Sequence, residues 1–361
     1  MSHVDELSII GFKSIRELKN LSLRSLNVLI GANGAGKSNF ISMFRMLNEM
    51  YEQQFQLYVQ KQGGPDAILY FGREQTERLH AEFHFGHNGY DFDLVPTSDN
   101  RLVFKQESSR FKGMYYSTTP HPALLGTGHA ESKLKEASDK YSPYVRDSVK
   151  KWRVYHFHDT GEKARVKQRH LSNDNLRLKE DAANLAAYLR MLYQKHPESY
   201  QRIVATIRLV APFFGDFVHR PEEPETIELE WSQKGSPDTP FKAHVLSDGT
   251  LRFICLATLL LQPVELLPDT VLIDEPELGL HPYAISVLAD IFQQVAESRQ
   301  LIVSTQSVEL VNELEPEEVI VVDQENGASI FRRFERSELE GWLQEYAMGE
   351  LWKRNVLGGR P

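Results

Sequence analysis

The chain has 361 residues, of which 41% are hydrophobic and 25% charged, and its formal net charge is −9 at pH 7. This composition is ordinary for a globular protein, and the length predicts about two domains with a large core. The negative charge argues against a protein coated with nucleic acid, although a local basic groove stays open as an alternative.

The first elements predicted along the chain are a β-hairpin, a buried strand and a helix. Residues 7–12 alternate in polarity like a strand, and residues 18–23 resemble its antiparallel partner. Leu26–Ile30 is short, apolar and β-prone, which indicates a buried strand. The run 39–47 then places its apolar residues at helical spacing.

Between that strand and that helix, residues 31–38 read GANGAGKS and fit the phosphate-binding pattern G-x-x-x-x-G-K-[ST] at every fixed position. Glycines let backbone N–H groups wrap phosphates, and the helix N-terminus adds positive potential. Lys37 is placed to reach the β- and γ-phosphates of ATP, and Ser38 to hold Mg²⁺. A glycine-rich turn before an ordinary helix is the alternative, which the strand–loop–helix context disfavours. The predicted nucleotide-binding residues are Asn33, Gly34, Ala35, Gly36, Lys37, Ser38 and Asn39.

The middle of the chain predicts first a sheet and then helices. Residues 79–116 alternate in polarity between Gly and Asn turns, as an antiparallel meander does. Residues 117–128, which include Pro120 and Pro122, are predicted as a loop. Beyond them we predict a helical or partly mobile stretch (131–148), a strand (152–158), a polar loop (161–175), two helices (184–193 and 200–210) and a short strand (227–231).

A second phosphate-facing turn is predicted within residues 245–253. Ser247 and Gly249 form a Ser-x-Gly turn that opens a helix. An ordinary helix N-cap is the alternative role of Ser247. Further along this helix, Cys255 is the only cysteine of the chain and lies in an apolar run. A buried structural thiol without disulfides is typical of a reducing compartment, so we expect a cytoplasmic protein.

Two carboxylates follow the next apolar run. Thr270–Asp274 reads as a strand, and Glu275 comes directly after it. Asp274 is placed to bind Mg²⁺, directly or through water, and Glu275 to polarise an attacking water. A strand that ends in a solvated turn gives the same pattern, but the phosphate-binding loop upstream favours the catalytic interpretation. An amphipathic helix at 283–297 and an apolar strand at 301–304 complete this half.

The order of these elements predicts an α/β fold of the P-loop NTPase class, with an antiparallel β subdomain and an inserted, mainly helical lobe. We therefore divide the chain into four parts. These are the N-terminal half of the ATPase head (1–116), the accessory lobe (117–240), the C-terminal half of the head (241–330) and a tail (331–361). Aromatic and apolar residues in the tail predict packing on the body, with a partner-binding surface as the alternative.

These motifs resemble those of the ABC-type ATPases of the SMC, RecF and OLD group. The compact bacterial members, which lack both a TOPRIM nuclease domain and a long coiled coil, are the most similar. The resemblance covers residues 1–50 and 240–325 well, and the segment between them loosely. Residues 31–38 match the Walker A loop, and residues 271–275 match Walker B. The resemblance implies an ABC/SMC-like head.

Two positions depart from the pattern of that group. Residues 246–249 resemble the ABC signature, with Asp248 where a glycine is usual, and residues 279–282 resemble the D-loop. Gln306 stands where the group has its switch histidine. Glutamine can hydrogen-bond a phosphate oxygen but cannot carry positive charge. The resemblance therefore implies slow ATP hydrolysis, with Glu275 and Gln306 as the catalytic residues.

The resemblance also implies a function as an ATP-driven switch. Two heads form a homodimer around ATP and Mg²⁺, and Ser247 and Gly249 of one head face the γ-phosphate bound to the other. His158 and Asp159 are the candidates for the Mg²⁺-sensing Q-loop residue. Members of the group often act in bacterial antiphage defence with an effector such as a nuclease, which we expect here to be a separate protein.

Other functional classes stay open. A DNA-binding ATPase of repair or maintenance, similar to RecF, would need a basic surface. Such a strip could form from Lys150, Lys151, Arg153, Lys163, Arg165, Lys167, Arg169 and His170, for which a solvated charged loop is the alternative. The ATPase subunit of a membrane transporter is disfavoured by the altered signature and the large insert. We therefore expect DNA as an optional partner and no membrane.

Overall fold

The computed structural model describes residues 3–111, 121–221 and 224–360. The strands are β1 Glu6–Phe12, β2 Ile15–Ser22, β3 Leu26–Ile30, β4 Leu79–Phe85, β5 Asn88–Pro96, β6 Leu102–Phe111, β7 His121–Gly126, β8 Trp152–Tyr155, β9 His170–Leu171, β10 Phe214–Phe217, β11 Thr226–Ile227, β12 Glu230–Gln233, β13 Ser236–Lys242, β14 Thr270–Asp274, β15 Gln300–Thr305, β16 Val319–Glu325 and β17 Ala328–Arg333. The α-helices are α1 Lys37–Tyr51, α2 Phe55–Gln62, α3 Pro65–Ile68, α4 Ser142–Val149, α5 Leu185–Lys195, α6 Pro197–Val210, α7 Asp248–Leu261, α8 Pro282–Ala296, α9 Val308–Asn312, α10 Arg336–Leu343 and α11 Met348–Lys353.

A central sheet positions the phosphate-binding loop. Its strand order is β17-β16-β3-β15-β14-β8, and all neighbours are parallel except the antiparallel edge strand β17. Every residue of β3 and β15 is buried, as expected for parallel strands covered on both faces. The carboxyl ends of β3, β14 and β15 therefore meet at one edge, where ligands bind in open α/β sheets.

A second sheet is antiparallel and has the order β2-β1-β4-β5-β6-β7. It confirms the predicted hairpin β1–β2 and the predicted meander, which starts at Leu79. Helix α1 packs between the two sheets. Its apolar face buries Phe40 and Phe44, and the Phe44 ring meets the ring of Trp152 on β8 edge to face. This packing fixes the direction of α1 relative to the loop that precedes it.

The segment predicted as an accessory lobe is shared among several layers. Part of the predicted loop 117–128 is a strand, because β7 pairs with β6 at the edge of the antiparallel sheet. Residues 117–120 and the division at 116 lie outside the described residues. β8 joins the central sheet, whereas α5 and α6 confirm the two predicted helices. A small sheet, β10-β12-β13, lies next to them. The division of the chain into four parts stays a prediction.

The C-terminal part adds a hairpin that the sequence analysis did not predict. β16 and β17 pair through a turn at Asn326 and Gly327, both of which have positive φ. An Asn-Gly turn between β-prone runs is a strong hairpin signal, and it could have found these strands. In the tail, Leu351 and Trp352 are fully buried, whereas Trp342 is 48% exposed. Most of this tail thus packs on the body. Within the described ranges, every helix is too short or too polar to cross a membrane.

Candidate functional site

The phosphate-binding loop runs from β3 to α1 and is pressed against the β16–β17 hairpin. Gly31 (φ 153°) and Gly36 (φ 117°) lie in the left-handed region. A Cβ on Gly31 would overlap the carbonyl oxygen of Val322, and a Cβ on Gly36 would overlap the hydroxyl of Ser329. Glycine is therefore required at both positions for its conformation and for its lack of a side chain. Gly34 has open space around it, as a cradle for phosphates needs.

A serine network fixes the loop from outside. The Ser329 hydroxyl donates to the carbonyl oxygen of Ala35 at 2.5 Å and accepts the Ser14 hydroxyl at 2.7 Å. The Asn39 amide donates to the same Ser14 hydroxyl at 2.7 Å. The hairpins β1–β2 and β16–β17 thereby hold the first turn of α1. Sequence analysis missed Ser14 and Ser329, because both are distant from the loop along the chain.

Lys37 is buried inside the loop, with only 4% of its surface exposed. Its ammonium donates to the carbonyl oxygens of Gly31 at 2.6 Å and Ala32 at 3.1 Å. An ammonium has three donors, so one is left for a phosphate. Burial lowers the pKa of Lys37, and the nearby carboxylates Glu275 and Asp274 oppose that shift. The charge of Lys37 is thus held at the floor of the loop.

Oxygen ligands suited to Mg²⁺ meet at the end of β14. The Ser38 hydroxyl donates to Asp274 Oδ1 at 3.3 Å, and the Ser304 hydroxyl donates to the same oxygen. Hydroxyl and carboxylate oxygens are the ligands that Mg²⁺ prefers, and it usually takes only one or two carboxylates. Ser38 and Asp274 therefore fit a magnesium ion bound together with nucleotide phosphates. Ser304, on the neighbouring strand β15, orients the carboxylate.

The two residues predicted as catalytic touch each other. The Gln306 side-chain amide donates to Glu275 Oε1, although they are separated by a helix and a strand in the sequence. Glu275 has φ 45°, a rare conformation for a non-glycine residue, and its backbone N–H donates to the Ser304 carbonyl at 2.9 Å. Strained backbone is often found at active sites. In this conformation the Glu275 carboxylate contacts Gln306, in the segment that follows β15.

A third carboxylate, Glu277, was missed by the sequence analysis. Its Oε1 accepts the backbone N–H of Gln306 at 2.9 Å, and its Oε2 is buried without a hydrogen-bond partner in the described structure. Burial raises the pKa of Glu277, and the neighbouring Thr305 hydroxyl opposes the shift. The sequence run Asp-Glu-Pro-Glu could have pointed to Glu277, since this acid follows Asp274 and Glu275 at the end of the same strand. Glu277 holds the segment that carries Gln306.

The Glu277→Gln variant is expected to be more stable than the unaltered protein at pH 8, by on the order of 1 kcal/mol or roughly 1–3 °C in melting temperature. The unfolded chain loses this proton near pH 4.5, whereas the folded protein retains it to higher pH. The free energy of unfolding therefore falls as pH rises from 4.5 through the raised pKa of Glu277. A glutamine at this position cannot ionise, so the variant does not lose this stability. Melting curves at pH 4.5 and pH 8 test this, with the exposed Glu340→Gln as control. An equal gain at both pH values would contradict it.

The signature turn is built around Ser247, which caps α7. Its hydroxyl accepts the Thr250 N–H at 3.2 Å, so the N-cap geometry exists, and the side chain is exposed. A Cβ on Gly249 would overlap the carbonyl oxygen of Gly279, and Gly279 itself has a positive φ of 76°. The D-loop and the signature turn therefore pack directly on each other. Among the described residues no hydrogen bond joins this turn to the loop at 31–38.

Helix α7 is connected to the end of β14 through a buried arginine. Arg252 donates to the carbonyl oxygens of Phe157 at 2.9 Å and His158 at 3.1 Å. The His158 imidazole Nε2 lies 2.8 Å from the Asp274 carbonyl oxygen. Asp159, the other Q-loop candidate, instead accepts the Gly161 N–H at 3.3 Å. The structure thus brings His158, and not Asp159, to the carboxylate edge.

The comparisons with known proteins agree with this geometry. A family model described as "AAA domain, putative AbiEii toxin, Type IV TA system" matches residues 26–312. The chain belongs to this family. The matched range starts at β3 and includes the loop, the signature turn, β14 and β15, and it leaves the β16–β17 hairpin and the tail outside. No curated protein matches the chain.

Solved structures of SMC heads share the fold of this AAA family member at 13% sequence identity. An SmcHead bound to the C-winged helix domain of ScpA has a TM-score of 0.59 over 93% of this chain and 99% of its own. A Pyrococcus furiosus Smc head bound to the C-terminal domain of ScpA has 0.59 over 96% and 99%. The Thermotoga maritima SMC head has 0.50 over 92% and 99%. The fold is therefore a compact P-loop head of the SMC type.

The basic strip predicted in this AAA family member is largely neutralised by acidic neighbours. The ion pairs are Lys150–Asp147, Lys151–Asp269, Arg153–Glu52, Arg153–Glu180, Arg165–Asp181 and Arg169–Glu228. Lys167 is buried and pairs with Asp248, and the imidazole of His170 contacts the carbonyl oxygen of Arg165. A phosphate backbone would have to displace these carboxylates, so the strip is poorly suited to DNA.

Proposed function

We propose that this chain is an ATP-hydrolysing switch that closes as a homodimer around ATP. One observation carries the proposal. Lys37, the Ser38–Asp274 pair and the Glu275–Gln306 pair meet at one edge of the central sheet. A buried cation, a metal-binding oxygen pair and a carboxylate beside an amide are the parts that nucleotide hydrolysis needs.

In this mechanism the loop N–H groups and Lys37 hold the nucleotide phosphates. Ser38 and Asp274 would hold Mg²⁺, which neutralises charge on the β- and γ-phosphates when bound. Glu275 accepts a proton from the attacking water, and Gln306 orients that carboxylate without adding positive charge. Because a neutral amide stabilises developing negative charge less than a cation does, we expect slow hydrolysis.

The homodimer follows from the exposed signature turn. Ser247 lies at the N-terminus of α7, which carries partial positive charge and can face a phosphate. Since no hydrogen bond or ion pair joins this turn to the phosphate-binding loop of its own chain within the described residues, we infer that it serves the loop of a second copy. Arg252 and His158 then connect each signature turn to the Asp274 of the same chain.

The partner in this proposal is a separate effector protein, such as a nuclease, acting in antiphage defence in the cytoplasm. The family description names a toxin of a type IV toxin–antitoxin system, and such a system has two components. Two of the similar SMC heads are described as bound to ScpA, so this fold supports protein partners. Cys255 is free and buried, as in a reducing compartment.

The mass in solution of the Glu275→Gln variant, with and without ATP and Mg²⁺, tests the proposal. Retained ATP without turnover should convert a monomer into a dimer, since the variant keeps binding but lacks the proton acceptor. Lys37→Ala in the same background is the control and should stay monomeric with ATP. A monomer at saturating ATP would contradict the dimeric switch.

A further inference from the structure

A buried lysine lies behind the signature turn. Lys167 ends a short 3₁₀ turn, Arg165–Lys167, and only 7% of its surface is exposed. Its ammonium lies 3.5 Å from Asp248 Oδ1, and this is its only hydrogen-bond or ion-pair partner among the described residues. The Asp248 side chain is 64% exposed. The cation is thus buried, whereas its counterion faces solvent.

The neighbours of Lys167 are arranged differently. Arg165 pairs with Asp181 at 2.9 Å and Arg169 pairs with Glu228 at 3.0 Å, and both arginine side chains are at least 60% exposed. Surface pairs of this kind need no further explanation. A buried ammonium with one distant partner does, because it has three donors and its burial is costly unless it is well paired. Donor capacity is therefore left over at the signature turn.

Asp248 creates an electrostatic problem at the same turn. It is the first residue of α7, between Ser247 and Gly249, and Asp248 replaces the glycine of related signatures. In the proposed dimer the γ-phosphate of the other protomer's ATP approaches this turn. A carboxylate beside that phosphate is repulsive, and a nearby cation would offset the repulsion.

We propose that Lys167 contacts the γ-phosphate of the ATP bound by the other protomer. This inference rests on the dimeric switch proposed above. In the free protein Asp248 holds the ammonium at the turn. In the dimer the phosphate, which carries more negative charge than one carboxylate, becomes its second acceptor. Asp248 thus positions the lysine, and Lys167 supplies the positive charge that neither Gln306 nor the altered signature has.

Dimerisation of Glu275→Gln with ATP, followed by solution mass against protein concentration, tests this inference. Adding Lys167→Met should weaken the dimer by about 10- to 100-fold, the effect of losing one charge-assisted hydrogen bond. ATP binding to the monomer, titrated with a fluorescent ATP analogue, should stay unchanged. Methionine fits the buried stem, and Asp248 stays solvated, so the variant should fold. Its melting curve checks this. Lys163→Met, an exposed lysine of the same segment, is the matched control.

A double variant separates phosphate contact from simple neutralisation of Asp248. Lys167→Met with Asp248→Gly removes both charges, and its dimer should stay weak if Lys167 touches the phosphate. Recovery of the dimer would overturn the inference, and so would an equal loss in Lys163→Met or no loss in Lys167→Met. If Glu275→Gln itself stays monomeric with ATP, the proposed dimer fails, and this inference fails with it.

Discussion

Replacing Glu275 with glutamine is expected to lower the rate of ATP hydrolysis by about 10²–10³-fold, the usual effect of losing one preorganised catalytic group. Glutamine has nearly the same shape but cannot accept the proton of the attacking water. The affinity for ATP should stay within about twofold, because Glu275 belongs to the chemical step rather than to the phosphate cradle. Phosphate release under saturating ATP and Mg²⁺ measures the rate.

The position of Glu275 also gives this experiment its controls. The carboxylate accepts a hydrogen bond from Gln306, and a glutamine at 275 can still accept that bond through its amide oxygen. Glu340→Gln, an exposed change in α10, should leave turnover unaltered. Turnover in Glu275→Gln near that of the unaltered protein would mean that another group accepts the proton.

The parts of this site that sequence predicts well are local ones. The loop at 31–38 and the carboxylates of Asp274 and Glu275 each depend on a short run, and the strand that precedes each run fixes its place at the sheet edge. Parallel strands bring their carboxyl ends together whatever the length of the connections. The pattern could therefore predict that these two motifs meet.

Other parts depend on pairings that no short run specifies. Pro120 comes directly before β7 and Pro122 lies within it. Both prolines indicate a loop, but the pairing of β7 with β6 decides its structure. Ser14 and Ser329 contact each other from opposite ends of the chain. Lys167 pairs with Asp248, although 81 residues separate them in the sequence. The basic strip shows the same limitation. Its cations lie close together in the sequence, but most of the carboxylates beside them are brought there only by the fold.

Replacing Lys37 with alanine is expected to weaken ATP binding by about 10²-fold or more, or about 3 kcal/mol. The ammonium is held by the carbonyl oxygens of Gly31 and Ala32, so its charge is preorganised for phosphate before ATP binds. Without it, Asp274 and Glu275 would face the phosphates with no buried cation between them. Titration with a fluorescent ATP analogue measures the affinity, and Lys61→Ala, an exposed change in α2, is the matched control.

The pH dependence of binding checks that the charge of Lys37, and not its bulk, is responsible. Burial lowers the pKa of Lys37, so its ammonium loses the proton at a lower pH than an exposed lysine does. ATP affinity should therefore fall as pH rises toward that lowered pKa, at lower pH than exposed lysines titrate. In Lys37→Ala this part of the pH dependence should be absent. An unchanged pH profile in the variant would assign the phosphate contact to the loop N–H groups and the α1 N-terminus alone.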